Sequence, residues 1–237
     1  MPYEYLASSA SPRLLILLTD ELEESAKLIN YLIDRTIQIN FDGCAPKNRC
    51  YISVIGYNHN VKELCSGWLR DLDTNPLRVD YQKKVLPDRT GKTVEVEVQQ
   101  PVWIESVKTL SSAPKYADAV LLASELSQKW SEDHSLSPII MDCSEENHAV
   151  SAKEEIKRLC SIVAKDGCAL YFGCYSRNKD VFNIFSQMPD EWEYRFKRWE
   201  LKEEDYSRGL LNREHIGSIF SAMMETGGMV CINSFEL

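Results

Sequence analysis

Asp20 and Asp142 are the side chains best placed for chemistry, because each closes a short apolar run. Leu14-Leu15-Ile16-Leu17-Leu18 leads into Thr19-Asp20, and Pro138-Ile139-Ile140-Met141 leads into Asp142. A short, wholly apolar run is the pattern of a strand buried on both faces of a parallel sheet. Behind Asp20, apolar residues at Leu22, Ala26, Ile29, Ile33 and Ile37 keep a helical period, with Leu28 and Leu32 on the same side. Asp20 therefore lies where the carboxyl end of a strand hands over to a helix, the edge at which open α/β sheets bind ligands. With the first strand central and the strand ending in Asp142 beside it, the two acids share that edge.

A rival chemistry starts from Cys143, which follows the same strand, with His148 five residues on and Asp142 and Glu145 at hand. A hydrolase using Cys143 and His148 needs the thiol and the imidazole within hydrogen-bond reach, which spacing alone does not supply. A nucleotide enzyme lacks its apparatus, since the chain has neither GxGxxG nor GxxxxGK[ST], and no GxSxG elbow occurs. His59, His134 and His215 stand alone and read as surface or boundary histidines.

The elements that must position these residues alternate. Residues 1–12 form a lead-in, Leu14 to Leu18 a strand, and about Glu21 to Gln38 a helix. Asn40 to Arg49 reads as a loop, Tyr51 to Tyr57 as a second strand, and Val61 to Leu64 as a short strand at the sheet edge. Leu77 to Leu86 and Lys92 to Val98, around Pro87-Asp88-Arg89-Thr90-Gly91, read as an inserted antiparallel hairpin spanning about residues 77–100. Helices follow at about Pro114 to Trp130 and Ala152 to Ala164, with strands at Pro138 to Asp142 and Cys168 to Tyr175. Two further helices are expected within about residues 190–224.

Composition narrows the classes. The 237 residues suffice for one large domain with a full core. No apolar stretch approaches the ~18 to 20 residues of a membrane span, and no basic leader precedes the first apolar run, so a cytoplasmic protein is expected. Eight cysteines without a CxxC pair read as free thiols. A formal charge of −9 argues against nucleic acid. Trp192-Glu193-Tyr194-Arg195-Phe196-Lys197-Arg198-Trp199 interleaves aromatics with cations, yet Trp192, Phe196 and Trp199 share one helical face suited to core packing.

The segments LLILLTDELEES, YISVIGYNHNV, NPLRV, PVWIES, SSAPKYADAV, SPIIMD and LLNREHIGSIF, covering most of residues 13–220, resemble von Willebrand factor A (vWA) domains. More particularly, they resemble bacterial stand-alone vWA proteins encoded near tellurite-resistance and kinase/phosphatase genes. The resemblance implies a Rossmann-like, doubly wound, mostly parallel six-stranded sheet with helices on both faces, forming a single domain over residues 13–237 with the hairpin inserted. Family members that bind Mg²⁺ or Mn²⁺ use Asp-x-Ser-x-Ser, a distant Thr and a distant Asp. Carried over, the acids match Asp20 and Asp142, the two serines fall on Leu22 and Glu24, and the threonine falls on Ala113. The implied metal-ion-dependent adhesion site is degenerate.

Two readings of the edge follow. Asp20 caps the first helix, with Glu23 at capping-box spacing and Glu21 and Glu24 at the positive end of the helix dipole. Alternatively, Asp20, Glu24 and Asp142 hold Mg²⁺ or Mn²⁺ weakly, with Lys115 close by. The expected function is a non-catalytic protein–protein interaction module with no required cofactor. Its docking edge is Asp20, Glu21, Ala113, Lys115 and Asp142, or the hairpin. Its implied partner is an operon-encoded kinase, phosphatase or defence component. A metal-dependent ligand binder is the alternative.

Overall fold

A computed structural model describes residues 7–87, 93–136, 138–144, 148, 152, 154–156, 158–159 and 170–175. Strand β1 (Arg13–Thr19) is buried along its whole length, as its apolar run requires. Helix α1 (Glu23–Ile39) turns Ala26, Leu28, Ile29, Leu32, Ile33 and Ile37 inward. The expected loop after it contains a small ribbon, β2 (Phe41–Asp42) against β3 (Ala45–Pro46). Gly43 turns this ribbon at φ +73°, a conformation a side chain would strain.

Strand β4 (Cys50–Gly56) is followed by β5 (Lys62–Trp68), which runs antiparallel to it and extends beyond the four residues expected. Trp68 lies opposite Tyr51 in that pair, and the two rings meet edge to face at 5.2 Å, which fixes the register. After α2 (Leu69–Thr74) come β6 (Arg78–Pro87) and β7 (Thr93–Val102), a separate antiparallel ribbon of the kind the alternating valines predict. Helix α3 (Tyr116–Asp133) leads to β8 (Ile139–Ser144) and then β9 (Leu170–Tyr175).

The fold is mixed α/β. The main sheet has the order β5-β4-β1-β8-β9, in which β4, β1, β8 and β9 are parallel and β5 is the antiparallel edge. Five strands are thus described where the sequence reading expects six. The helices expected within residues 190–224, His215 and the aromatic–basic stretch at 192–199 lie outside the described residues.

The pleat of β1 divides the core. Leu15 and Leu17 pack with α1, α2, Trp103 and Ile104, whereas Leu14, Ile16 and Leu18 pack with α3, Ala152, Ile156 and Leu159. One helical layer covers each face, and every β1 side chain is removed from water, about 1.5–3 kcal/mol for each large apolar residue.

The ribbon β6–β7 joins the body at its base. Asn30 of α1 is buried, and its Oδ1 accepts from the amides of Trp103 (2.8 Å) and Ile104 (3.1 Å), while its Nδ2 donates to the Ile104 carbonyl (3.0 Å). Trp103 Nε1 donates to the Leu72 carbonyl at 2.9 Å. One buried amide side chain thus satisfies three main-chain groups that leave the ribbon without strand partners.

Cys44, Cys50, Cys65 and Cys143 are free thiols. Burial pushes the Cys50 thiol up to about 12 and the Cys65 thiol up to about 11. Among the described residues, no helix is long and apolar enough to cross a membrane.

Candidate functional site

The two aspartates lie on neighbouring chain segments at the carboxyl edge of the sheet. Strand β1 lies between β4 and β8, so the chain departs to one side of β1 and returns on the other, and the β1/β8 boundary is the switch in strand order. Leu18 pairs with Asp142, and Asp20 lies two residues beyond Leu18. Both aspartates are fully buried.

Their partners come from their own chain. Asp20 Oδ1 accepts from the amide of Leu22 at 3.0 Å. Helix α1 then opens with Leu22 as its N-cap, in extended conformation and with no side-chain capping bond. The expected capping box is not formed, and Asp20 acts ahead of the cap, bracing the approach to the helix. Glu23 and Glu24 instead pair with Lys27, at 2.8 and 2.6 Å. The hydrogen bond and charge of Lys27 hold the Glu23 carboxyl below its ordinary range.

Asp142 receives the hydroxyl of Ser144, and Ser144 is itself bonded to the hydroxyl of Tyr57. Because the Ser144 proton goes to Asp142, the Tyr57 hydroxyl is the donor to Ser144. A chain of two hydroxyls therefore ends on a buried carboxylate at the strand switch. Tyr116 packs edge to face on Tyr57 at 5.1 Å, and the His148 ring lies 5.8 Å from Tyr57 and 6.2 Å from Tyr116. Sequence reasoning missed Tyr57 and Ser144. The local signal for Ser144 was its Asp-x-Ser spacing from Asp142, but Tyr57 is 87 residues away and no local pattern joins them.

Strand alternation separates the rival pair. Cys143 is buried among the α1-side core, while the His148 ring lies edge to face with Tyr57 and tilted beside Tyr116 in the α3-side layer. The two therefore stand on opposite faces of β8 and do not form a thiol–imidazole pair. Of the isolated histidines, His59 is exposed, and His134 stacks on Trp130 at 3.6 Å near the end of α3.

Glu21 is the unusual residue of the edge. Its φ is +66°, a left-handed conformation that strains a side chain with a Cβ, and it is buried. Its Oε1 accepts from the Asn58 amide at 3.3 Å and its Oε2 lies 3.6 Å from Lys62 Nζ. Gly56 makes room for this carboxylate: a Cβ there would stand 2.7 Å from Glu21 Oε1. The Glu21 amide donates to Thr19 Oγ1 at 3.0 Å and its carbonyl accepts from Val107 at 2.7 Å.

These residues fasten the segment 105–115 across the edge. Asn58 Nδ2 donates to the Thr109 carbonyl at 3.0 Å, Asn58 Oδ1 accepts from the Ser111 amide at 2.6 Å, and the Lys115 amide donates to the Tyr57 carbonyl at 2.9 Å. With the Val107–Glu21 bond, four anchors hold a segment whose Ser112, Ala113 and Lys115 are exposed. Of the expected docking residues, Ala113 and Lys115 are exposed, and Asp20, Glu21 and Asp142 are buried.

A divalent cation needs several oxygen donors converging on one point. Glu24 is committed to Lys27 on the helix surface, Asp142 takes the Ser144 proton, and Asp20 takes a main-chain amide. Among the described residues, no three His, Cys, Asp or Glu side chains converge as a metal-holding group. No protein-family model and no curated protein matches the chain.

Proposed function

We propose that this chain is a non-catalytic protein–protein interaction module of vWA-like, doubly wound design, with a degenerate metal site. The observation that carries the reading is the segment 105–115, exposed along its outer face and pinned from below by Glu21, Tyr57 and Asn58. A surface held rigid before contact loses little conformational freedom on binding, which favours docking. The acids beneath it act as structural anchors, their oxygens engaged by Leu22, Ser144, Asn58 and Lys62. By its resemblance the module belongs to a bacterial multi-protein system, and its partner is an operon-encoded kinase, phosphatase or defence component.

The metal-dependent reading keeps one specific observation in its favour. Asp142 and Ser144 restore an acid and an alcohol at two-residue spacing on β8, the pairing that β1 lacks. Titration calorimetry with Mg²⁺ and Mn²⁺, on wild type and Asp20→Asn, separates the two. The interaction-module reading expects no saturable heat from either ion. It also expects capture of the operon-encoded partner to survive chelator and to be lost in Ala113→Arg. Saturable binding abolished by Asp20→Asn, or capture abolished by chelator, would replace it with the metal-dependent ligand binder.

A further inference from the structure

Among the described residues, the ribbon β6–β7 carries most of the large apolar side chains left in solvent. Val79, Tyr81 and Val85 on β6 are 38%, 59% and 66% exposed, and Val94 on β7 is 43% exposed. Such a two-stranded ribbon is at best marginal alone in water, and an uncovered strand edge is a template for another strand. The two strands pair only with each other, so the outer edge of β6 faces no strand among the described residues. The outer edge of β7 is less suited to pairing, because Pro101 has no amide to donate.

The order of residues along β6 identifies the occupant. Laid antiparallel against a second β6 with Gln82 opposite Gln82, the strand places Val79 opposite Val85, Asp80 opposite Lys84 and Tyr81 opposite Lys83. Each pair is favourable: apolar on apolar, anion on cation, and an aromatic face beside a cation. Residues directly opposite share a face of the sheet, so this register also keeps the exposed valines and tyrosine on one side. The same operation on β7 about Glu97 sets like charges opposite each other.

Charge favours the same partner. The whole chain carries −9, which repels copies of itself, but residues 77–102 hold five cations and four anions. Two copies can therefore approach along the ribbon without the repulsion that opposes contact elsewhere.

We infer that β6 is a homodimerisation strand, which pairs antiparallel with β6 of a second copy about Gln82 to make a four-stranded sheet β7-β6-β6-β7. The interface is isologous, with each copy using the same edge, and it closes at two chains. It uses observations independent of the docking segment 105–115 and stands or falls apart from it.

Sedimentation velocity on the full chain across a concentration series tests the assembly. The expected result is a reversible shift from the 27.2 kDa monomer toward twice that mass. Asp80→Lys alone, and Lys84→Asp alone, set like charges opposite and should weaken the dimer at least tenfold. The double exchange Asp80→Lys/Lys84→Asp should restore it. Oxidative cross-linking tests the register: Gln82→Cys should give a covalent dimer, and Gln99→Cys on β7 should not. Circular dichroism confirms folding, and the paired exchange discriminates even if a single variant is poorly folded. A chain that stays monomeric throughout, a dimer indifferent to the charge exchanges, or cross-linking at Gln99 in preference to Gln82 would each overturn the inference.

Discussion

Replacing Asn58 with alanine should loosen the segment 105–115 as a unit. The side chain makes two hydrogen bonds to that segment, to the Ser111 amide at 2.6 Å and the Thr109 carbonyl at 3.0 Å. Its own amide bond to Glu21 belongs to the main chain and survives the change. At about 1 kcal/mol net for each lost bond, the opening of the segment becomes easier by about 2 kcal/mol. With tenfold per 1.4 kcal/mol, that is roughly a 30-fold rise in the open population. Hydrogen exchange reads this directly, provided the right amides are followed. Ser111 loses its acceptor and is uninformative. Val107 and Lys115 keep theirs, the carbonyls of Glu21 and Tyr57, so they exchange faster only if the whole segment opens together. The expected result is acceleration of both by roughly 10- to 30-fold. Partner affinity should fall by up to the same factor, because the bound state must then order the segment. Unchanged exchange at Val107 and Lys115 beside faster exchange at Ser111 would refute the idea that these anchors act as one latch.

Asn30→Ala strands three main-chain groups at the base of the ribbon, and should cost about 3 kcal/mol. In a thermal melt that is a fall of roughly 6–12 °C in Tm; a drop under about 2 °C would mean those groups find other partners. Gly56→Ala places a Cβ where Glu21 Oε1 would stand 2.7 Å and Leu64 Cδ1 2.8 Å away, so both side-chain ends must shift. A loss of about 1–3 kcal/mol by denaturant titration is expected, made smaller in the Glu21→Ala background, where the first obstacle is gone. Alkaline stability should report Cys50. Its thiol holds its proton up to about 12 when folded, against an ordinary value of 9.0. Between those values the unfolded chain binds fewer protons than the folded one, so stability falls as pH rises across that window. Denaturant midpoints at rising pH should show this decline, and it should be shallower in Cys50→Ala.

The parts of the fold written in local pattern were legible. The run at Leu14 to Leu18, the helical period from Leu22 to Ile37 and the alternating valines at 94, 96 and 98 each lead to the element found there. Strand β5 was foreseen only as a short edge strand, because its Lys62-Glu63-Leu64-Cys65-Ser66 carries little periodic signal and depends on pairing with β4. The ribbon β2–β3 hid in a stretch whose glycine and proline argued only for a loop.

At the edge, the acids stood out in the sequence and their hydrogen-bond partners did not. Asn58, Asn30 and Ser144 are ordinary turn, helix or strand residues until the chain folds, and their partners lie 51, 73 and 87 residues away. Glu21 was read as part of the docking edge and as one of three acids suited to the positive end of the helix dipole. Its burial follows from a left-handed backbone that no neighbouring glycine or asparagine announces.

The pleat of β8 has a further consequence. Asp142 and Cys143 are covalent neighbours, yet the strand assigns one to the hydroxyl chain of Tyr57 and Ser144 and the other to the packing beneath α1. Bringing the sulfur into the company of His148 would take a one-residue slip or bulge, and that same shift would drive the carboxylate into the hydrocarbon layer. The sheet therefore keeps the native thiol and the carboxylate in separate layers, although they are adjacent in the chain.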